Sequence, residues 1–323
     1  MDELLKFALD AHGGLARWTE LTEVEADLSA TGALFQVKNQ ADTLKHIRIE
    51  ADLRQQRTTT HIIGQNKRLH FTPDSVCVNT EDGNLLGRRD QPRATFSAQQ
   101  LQTPWDDLHV AYFSGHALWT YFTIPFLYTY PGFVTEELPP WEENGETWRP
   151  LSVLFPEKIA SHTQKQISYF GPDGLLRRHE YTVDVLGGAK GVNYASEYRN
   201  VNGISAPMKR RAYAHDAVKR KLPEPVLVAI DVQSFCITGL IEDVASAEPE
   251  SWSFIHWARR KAAPPSSRPA LKISRRLVKP LLFDPNCPCC LAHILISVSH
   301  CLFRKNISGS VATIYALGVL RLN

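Results

Sequence analysis

The chain has 323 residues, a formal net charge of +2, 43% hydrophobic residues and 10% aromatic residues. A charge balance this close to zero excludes a nucleic-acid binder that works through bulk basicity, and the apolar content excludes wholesale disorder. No apolar run reaches the roughly 18 residues that a membrane-spanning helix needs, so none is predicted.

Residues 2–12 predict a short amphipathic helix, with Leu4, Leu5, Ala8, Leu9 and Ala11 on its apolar side. Asp2 and Glu3 suit its N-terminus, His12 lies at its C-terminal end where a partly protonated imidazole is favoured, and Gly13-Gly14 stop it. The opening MDELLKFALD does not read as a signal or transit peptide, so a cytoplasmic location is expected. After a turn at 15–18, residues 23–30 alternate: Val24, Ala26, Leu28 and Ala30 against Glu23, Glu25, Asp27 and Ser29. Period two with one wet face predicts a strand. Residues 46–53 repeat the pattern, 57–63 are Thr-rich and β-branched, and 67–80 suggest two strands around Thr72-Pro73-Asp74.

Residues 103–124 interrupt the β pattern. Thr103 as cap, Pro104 at the first helical position and Asp106 three residues on predict a helix that Pro125 ends. Leu108, Ala111, Gly115, Leu118 and Phe122 form one stripe, and the other sides are apolar too, so the helix is expected to be buried. β signals then resume. Gly171-Pro172-Asp173-Gly174 and Asn202-Gly203 each sit between alternating runs and predict hairpins. The body ends on the alternating run 226–233. The expectation is an α+β chain, mostly antiparallel, with about ten or eleven strands and two helical segments. It shows no βαβ rhythm.

The composition changes near residue 240. Residues 241–323 hold 11 Lys+Arg against 5 Asp+Glu, whereas the first 240 hold 25 against 29. This defines a main domain over 1–240 and an atypical basic tail that reads as a poorly ordered extension. A reading-frame or splicing departure just after Thr238 is the sharper alternative. Cys287, Cys289, Cys290 and Cys301 lie in the tail, leaving Cys77 and Cys236 in the body, which reads as reduced rather than disulfide-bonded. Cys287, Cys290, His293 and Cys301 have the composition of a metal set but not its spacing, and Asn306-Ile307-Ser308 is a glycosylation sequon.

The body resembles the outer-membrane lipoprotein carrier-like (LolA-like) half-barrel proteins and their uncharacterised soluble relatives over about residues 1–240. Three features carry this: the helix end Ala11-His12-Gly13-Gly14-Leu15-Ala16-Arg17-Trp18 running into a strand, the aromatic-rich insertion at 103–130, and the hairpin from Tyr169 to Tyr181. The resemblance implies a strongly curved antiparallel sheet whose concave side is closed by helices, with an apolar cavity that in the carrier family holds acyl chains.

His109, Tyr112, His116 and Trp119 fall on one face of the predicted helix. With Trp105, Phe113, Tyr121, Phe122, Phe126, His179 and Tyr181 they make a candidate ligand wall, apolar with a few polar handles. Aromatic stripes at this spacing more often pack a core than hold a ligand. His109 and His116 are separated by about 10 Å of helix rise, too far for one zinc, and no cofactor or metal is expected. Asp106 and Asp107 suffice as cap and dipole partners. Lys209-Arg210-Arg211 and Arg88-Arg89 read as solvated turns or edges. Signatures of hydrolases, kinases and metalloproteases are missing.

The functional expectation is a protein that holds a hydrophobic small molecule or lipid in the concavity. The rival is a cofactor-independent acid–base enzyme, such as an isomerase or cyclase in a biosynthetic pathway. There His109 or His116 would carry the proton and Tyr112 would donate a hydrogen bond to an oxyanion. A third reading is an interaction module whose tail docks a partner.

Overall fold

In the computed structural model, residues 1–239 are described. The basic tail, its cysteine set and the Asn306 sequon lie outside them. Among the described residues no helix is long and apolar enough to cross a membrane. The helices are α1 (Glu3–Ala11), α2 (Leu15–Trp18), α3 (Ala33–Val37) and α4 (Asp107–Thr123). The first six strands are β1 (Leu21–Thr31), β2 (Ile47–Asp52), β3 (Arg57–Ile62), β4 (Lys67–Phe71), β5 (Ser75–Asn79) and β6 (Leu85–Asp90). After α4 come β7 (Val134–Glu137), β8 (Trp141–Glu143), β9 (Glu146–Leu154), β10 (Lys165–Phe170) and β11 (Leu176–Val183). The last three are β12 (Ala189–Val201), β13 (Ile204–Tyr213) and β14 (Val228–Gly239).

The strands pair antiparallel in the order β6-β5-β4-β3-β2-β1-β14-β13-β12-β11-β10-β9-β7, with β8 paired to β9 beside that path. The sheet is therefore open, with β6 and β7 at its two ends. It is also curved. Tyr112 of α4 packs on Phe71 of β4, while Tyr121 of the same helix meets Tyr181 of β11. Seven inter-strand steps of about 4.8 Å would hold β4 and β11 roughly 34 Å apart if flat. One helix, about 10 Å across, touches both only because the sheet bends around it.

The fold class is the one expected, but the described residues form fourteen strands rather than ten or eleven. The surplus is at the margins. β6, β7 and β8 are short, and β6 and β7 are largely exposed, so no run of apolar alternation announces them. Both predicted hairpins form, as β10–β11 and β12–β13. Two local expectations change. Helix α4 is capped by Asp106, not Thr103: the Asp106 carboxylate accepts from the His109 N–H at 2.8 Å. Trp105 N–H is engaged by the Lys38 carbonyl at 2.9 Å, and the Thr103 hydroxyl accepts from Gln100 N–H at 3.0 Å. Those bonds hold 103–105 outside the helix. His12 caps α1 as expected, yet it is buried, and burial pushes its imidazole down to about 4, so it stays neutral. Its carbonyl accepts from Ser205 N–H, and a Cβ at Gly13 would lie 2.1 Å from the Gly203 carbonyl oxygen. The glycine lets the β12–β13 turn dock on the end of α1.

Candidate functional site

Helix α4 is buried along almost its whole length because the sheet surrounds it. Two flanks of the helix do different work. His109, Tyr112, His116 and Trp119 face β2–β5 and the 92–105 segment, while Phe113, Ala117, Leu118, Tyr121 and Phe122 face β11–β14 across two hollows. The larger hollow has a volume of about 80 Å³. Its walls include Phe35, Phe113, Ala117, Tyr121, Tyr181 and Ile230. Leu186, Tyr213, Leu227 and Val228 at its rim are partly exposed and Ala189 and Lys190 are exposed, which gives it a mouth. The smaller one, about 20 Å³, is walled by Phe122, Phe126, Phe235 and Arg210 and shares Leu118, Tyr121 and Ile230 with the first.

Of the residues singled out in the sequence, Phe113, Tyr121, Phe122, Phe126 and Tyr181 thus line the hollows. The others serve elsewhere. His109 completes the capping box with Asp106, and its Nε2 meets the Gln99 amide at 2.7 Å. Trp105 donates to Gln99 Oε1, and Trp119 donates to the Asp52 carbonyl at 2.6 Å. The Tyr112 hydroxyl accepts from Arg93 at 3.3 Å. Of the two aspartates, Asp107 pairs with Lys67 at 2.8 Å and Asp106 with Arg89.

His116 opens a chain of buried hydrogen bonds. Its Nδ1 lies 2.8 Å from the Tyr112 carbonyl, which only accepts, so Nδ1 carries the proton. Burial pushes the imidazole down to about 3, so it is neutral and Nε2 accepts. His162 Nδ1 donates to it at 3.3 Å, and His162 Nε2 accepts from the Tyr121 hydroxyl at 3.2 Å. Tyr181 completes the run at 2.9 Å from Tyr121. His162, too, is held well below its ordinary value, first by burial and then by His116 and His179. His162, Tyr121 and Tyr181 all face the larger hollow. His179 lies on the concave face of β11, edge-on to Tyr121 and Tyr181, with neither ring nitrogen hydrogen-bonded to any of the described residues.

Sequence reasoning missed His162, which sits in the loop before β10 with no periodic pattern around it. It also misplaced Arg210, read as part of a solvated basic run. β13 is an interior strand, and Arg210 is 5% exposed. The signal was the alternation Ile204, Ala206, Met208, Arg210, Ala212, which places the arginine on the buried face. The neighbouring Arg211 does face outward, on Asp231. Arg88 and Arg89 lie on edge strand β6, as expected.

An open antiparallel sheet folded around one buried helix, with apolar hollows along that helix, places the described chain among half-barrels with an interior space. The chain is similar to a putative outer membrane lipoprotein-sorting protein domain from Vibrio parahaemolyticus, at 11% identity and a TM-score of 0.43, over 74% of this chain and 94% of that one. It is similar to a LolA superfamily protein from Nitrosomonas europaea at 9% identity and a TM-score of 0.42, over 73% and 93%. A DUF1329 family protein from Desulfovibrio piger matches at 8% identity and a TM-score of 0.41, over 75% and 92%. No protein-family model matches the chain, and no curated protein does.

Proposed function

We propose that this protein binds a hydrophobic small molecule or lipid between α4 and the concave face of β11–β14. The observation that carries the reading is the 80 Å³ hollow with its partly exposed rim. A water-sized group needs about 10–15 Å³ of such space, so the hollow accepts a segment of roughly six non-hydrogen atoms. That suits the end of an acyl or other alkyl chain whose remainder lies along Leu186, Leu227 and Val228. Burial of apolar surface supplies the binding free energy, at roughly 25 cal/mol per Å² before entropic losses.

The second reading, a cofactor-independent isomerase or cyclase, draws on the His116–His162–Tyr121–Tyr181 chain that ends at the hollow. Histidines held neutral so far below pH 7 are weak bases, whereas acid–base catalysis favours groups that titrate near the working pH. Binding is therefore the conclusion. The test is Ala117→Leu, which places a larger side chain in the hollow from α4. Titration with octan-1-ol, followed by tryptophan fluorescence, is expected to show saturable binding in the natural chain. In the variant the affinity should fall about tenfold or more while Tm stays within a few degrees. Unchanged affinity in a folded Ala117→Leu protein rejects this site, and failure of the natural chain to bind rejects the reading.

A further inference from the structure

Two arginines are buried in this sheet, on opposite faces and in opposite circumstances. Arg178 of β11 is 0% exposed and is neutralised. Its Nη1 donates to Glu143 at 2.8 Å, and its Nη2 donates to Glu180 at 2.9 Å and to the Lys219 carbonyl. The rings of Trp141 and Tyr169 flank its guanidinium. Arg210 of β13 points into the concavity, where its guanidinium lies 4.7 Å from the centre of the Tyr121 ring. Its Nη2 donates to the Tyr121 carbonyl at 3.0 Å, and its Nη1 is buried with no partner among the described residues. Neutral Tyr198, Tyr121, Tyr181 and Tyr128 lie around it, and among the described residues no carboxylate forms an ion pair with it. A buried cation without a counter-charge is costly, and one ring face and one carbonyl compensate only part of that cost.

Arg210 is not isolated in this respect. Around the same Tyr121, both ring nitrogens of His179 and Oδ1 of Asn193 are buried and have no hydrogen-bond partner among the described residues. His179 and Asn193 face each other in the β11–β12 register, on the same side of the sheet as Arg210. Arg210 lines the 20 Å³ hollow, room for about one or two water-sized groups, and that space adjoins the larger apolar hollow at Leu118, Tyr121 and Ile230. An apolar space next to an unneutralised guanidinium is complementary to a molecule with a hydrocarbon body and one anionic end.

We infer that Arg210 is the receptor for the carboxylate of a fatty-acid-like ligand whose chain occupies the hollow beside α4. A guanidinium offers paired N–H donors to a carboxylate, and hydrogen bonds between charged partners are the strong ones. The hollow supplies affinity for chain, and Arg210 supplies the choice among head groups. The inference rests on the proposed function and sharpens it to a ligand class.

Three probes with eight-carbon chains and different heads separate the two: octanoate, methyl octanoate and octan-1-ol, titrated at neutral pH into the full chain. Octanoate is expected to bind the natural protein about tenfold or more tighter than the neutral pair. Arg210→Met should abolish that preference while keeping the octan-1-ol affinity, and Arg210→Lys should retain part of it. Near-UV circular dichroism checks that each variant is folded. If Arg210→Met does not fold, the probe series on the natural chain and on Arg210→Lys decides. Equal affinity for the three probes in the natural chain overturns the inference and leaves the apolar site standing. A preference that survives in folded Arg210→Met overturns the assignment to Arg210. No binding of any probe overturns both.

Discussion

His12, His116 and His179 sit in three parts of the core, and burial pushes their imidazoles down to about 4, 3 and 3 from a usual value of 6.5. The direction fixes the sign of their linkage to folding. The unfolded chain takes up protons first, so the stability they contribute is complete above about pH 6.5 and is lost as pH falls toward the folded values. At about 1.4 kcal/mol per unit of pKa, each accounts for about 3–5 kcal/mol. Three together rival the ~5–15 kcal/mol that holds an ordinary domain folded. Near-UV circular dichroism is therefore expected to collapse cooperatively between about pH 6 and pH 4, before most carboxylates are protonated. His179→Phe keeps the ring and removes two buried, unpartnered nitrogens. It should move the acid midpoint to lower pH and raise stability at pH 7 by about 1–2 kcal/mol, read from urea unfolding. A midpoint that does not move removes His179 from the account.

At the scale of the element, α4 shows how far local pattern carries. Its burial was legible because apolar residues occupy every side, and its end was legible in Pro125. Its start was not, because Thr103 and Asp106 are both competent caps and the bonds between Lys38 and Trp105 and between Gln100 and Thr103 decide which is used. Its division into a packing flank and a hollow-lining flank was hidden for the same reason. Helical spacing groups His109, Tyr112, His116 and Trp119, but which strands face that group depends on how the sheet curls. Gly115 illustrates the consequence. In an exposed helix Gly→Ala stabilises by about 0.5–1 kcal/mol. Here an added Cβ would meet Cγ and Cβ of Phe71 at 2.4 and 2.5 Å, and Phe71 is 1% exposed. The stem of that ring cannot swing aside as a side-chain tip would, so β4 or α4 must shift. Gly115→Ala is expected to cost about 1–3 kcal/mol, seen as a lower urea midpoint with unchanged slope. In a Phe71→Ala background, which lacks Cγ and the ring, Gly115→Ala should cost less than it does in the natural chain, and a stabilised single variant would show that the two elements do not meet this closely.

For the whole molecule, the decisive feature is where the last described strand lies. β14 is inserted at the middle of the strand order, between β1 and β13. It pairs with β1 from Leu21↔Gly239 to Thr31↔Ala229, and with β13 from Lys209↔Asp231 to Ala212↔Val228. Without it the strands fall into two sheets, β1–β6 and β7–β13, with α4 between them. Alternation in 226–233 announced a strand, but nothing local says that its neighbour is the first strand of the chain. That pairing closes a loop spanning nearly all the described residues, a contact whose entropic cost is met only once both halves exist. β14 also brings Ile230 to both hollows and Val232, Phe235 and Ile237 to the smaller one. A chain ending at residue 226 therefore loses both seams and part of the ligand wall. It is expected to retain some far-ultraviolet signal but lose near-UV circular dichroism, bind the dye ANS and unfold without a cooperative transition. A chain ending at residue 239 keeps every strand pairing described here and should unfold cooperatively with the full near-UV spectrum. Native-like spectra from the shorter chain would mean that the two halves join without β14, and a molten longer chain would mean that these pairings alone do not hold the sheet.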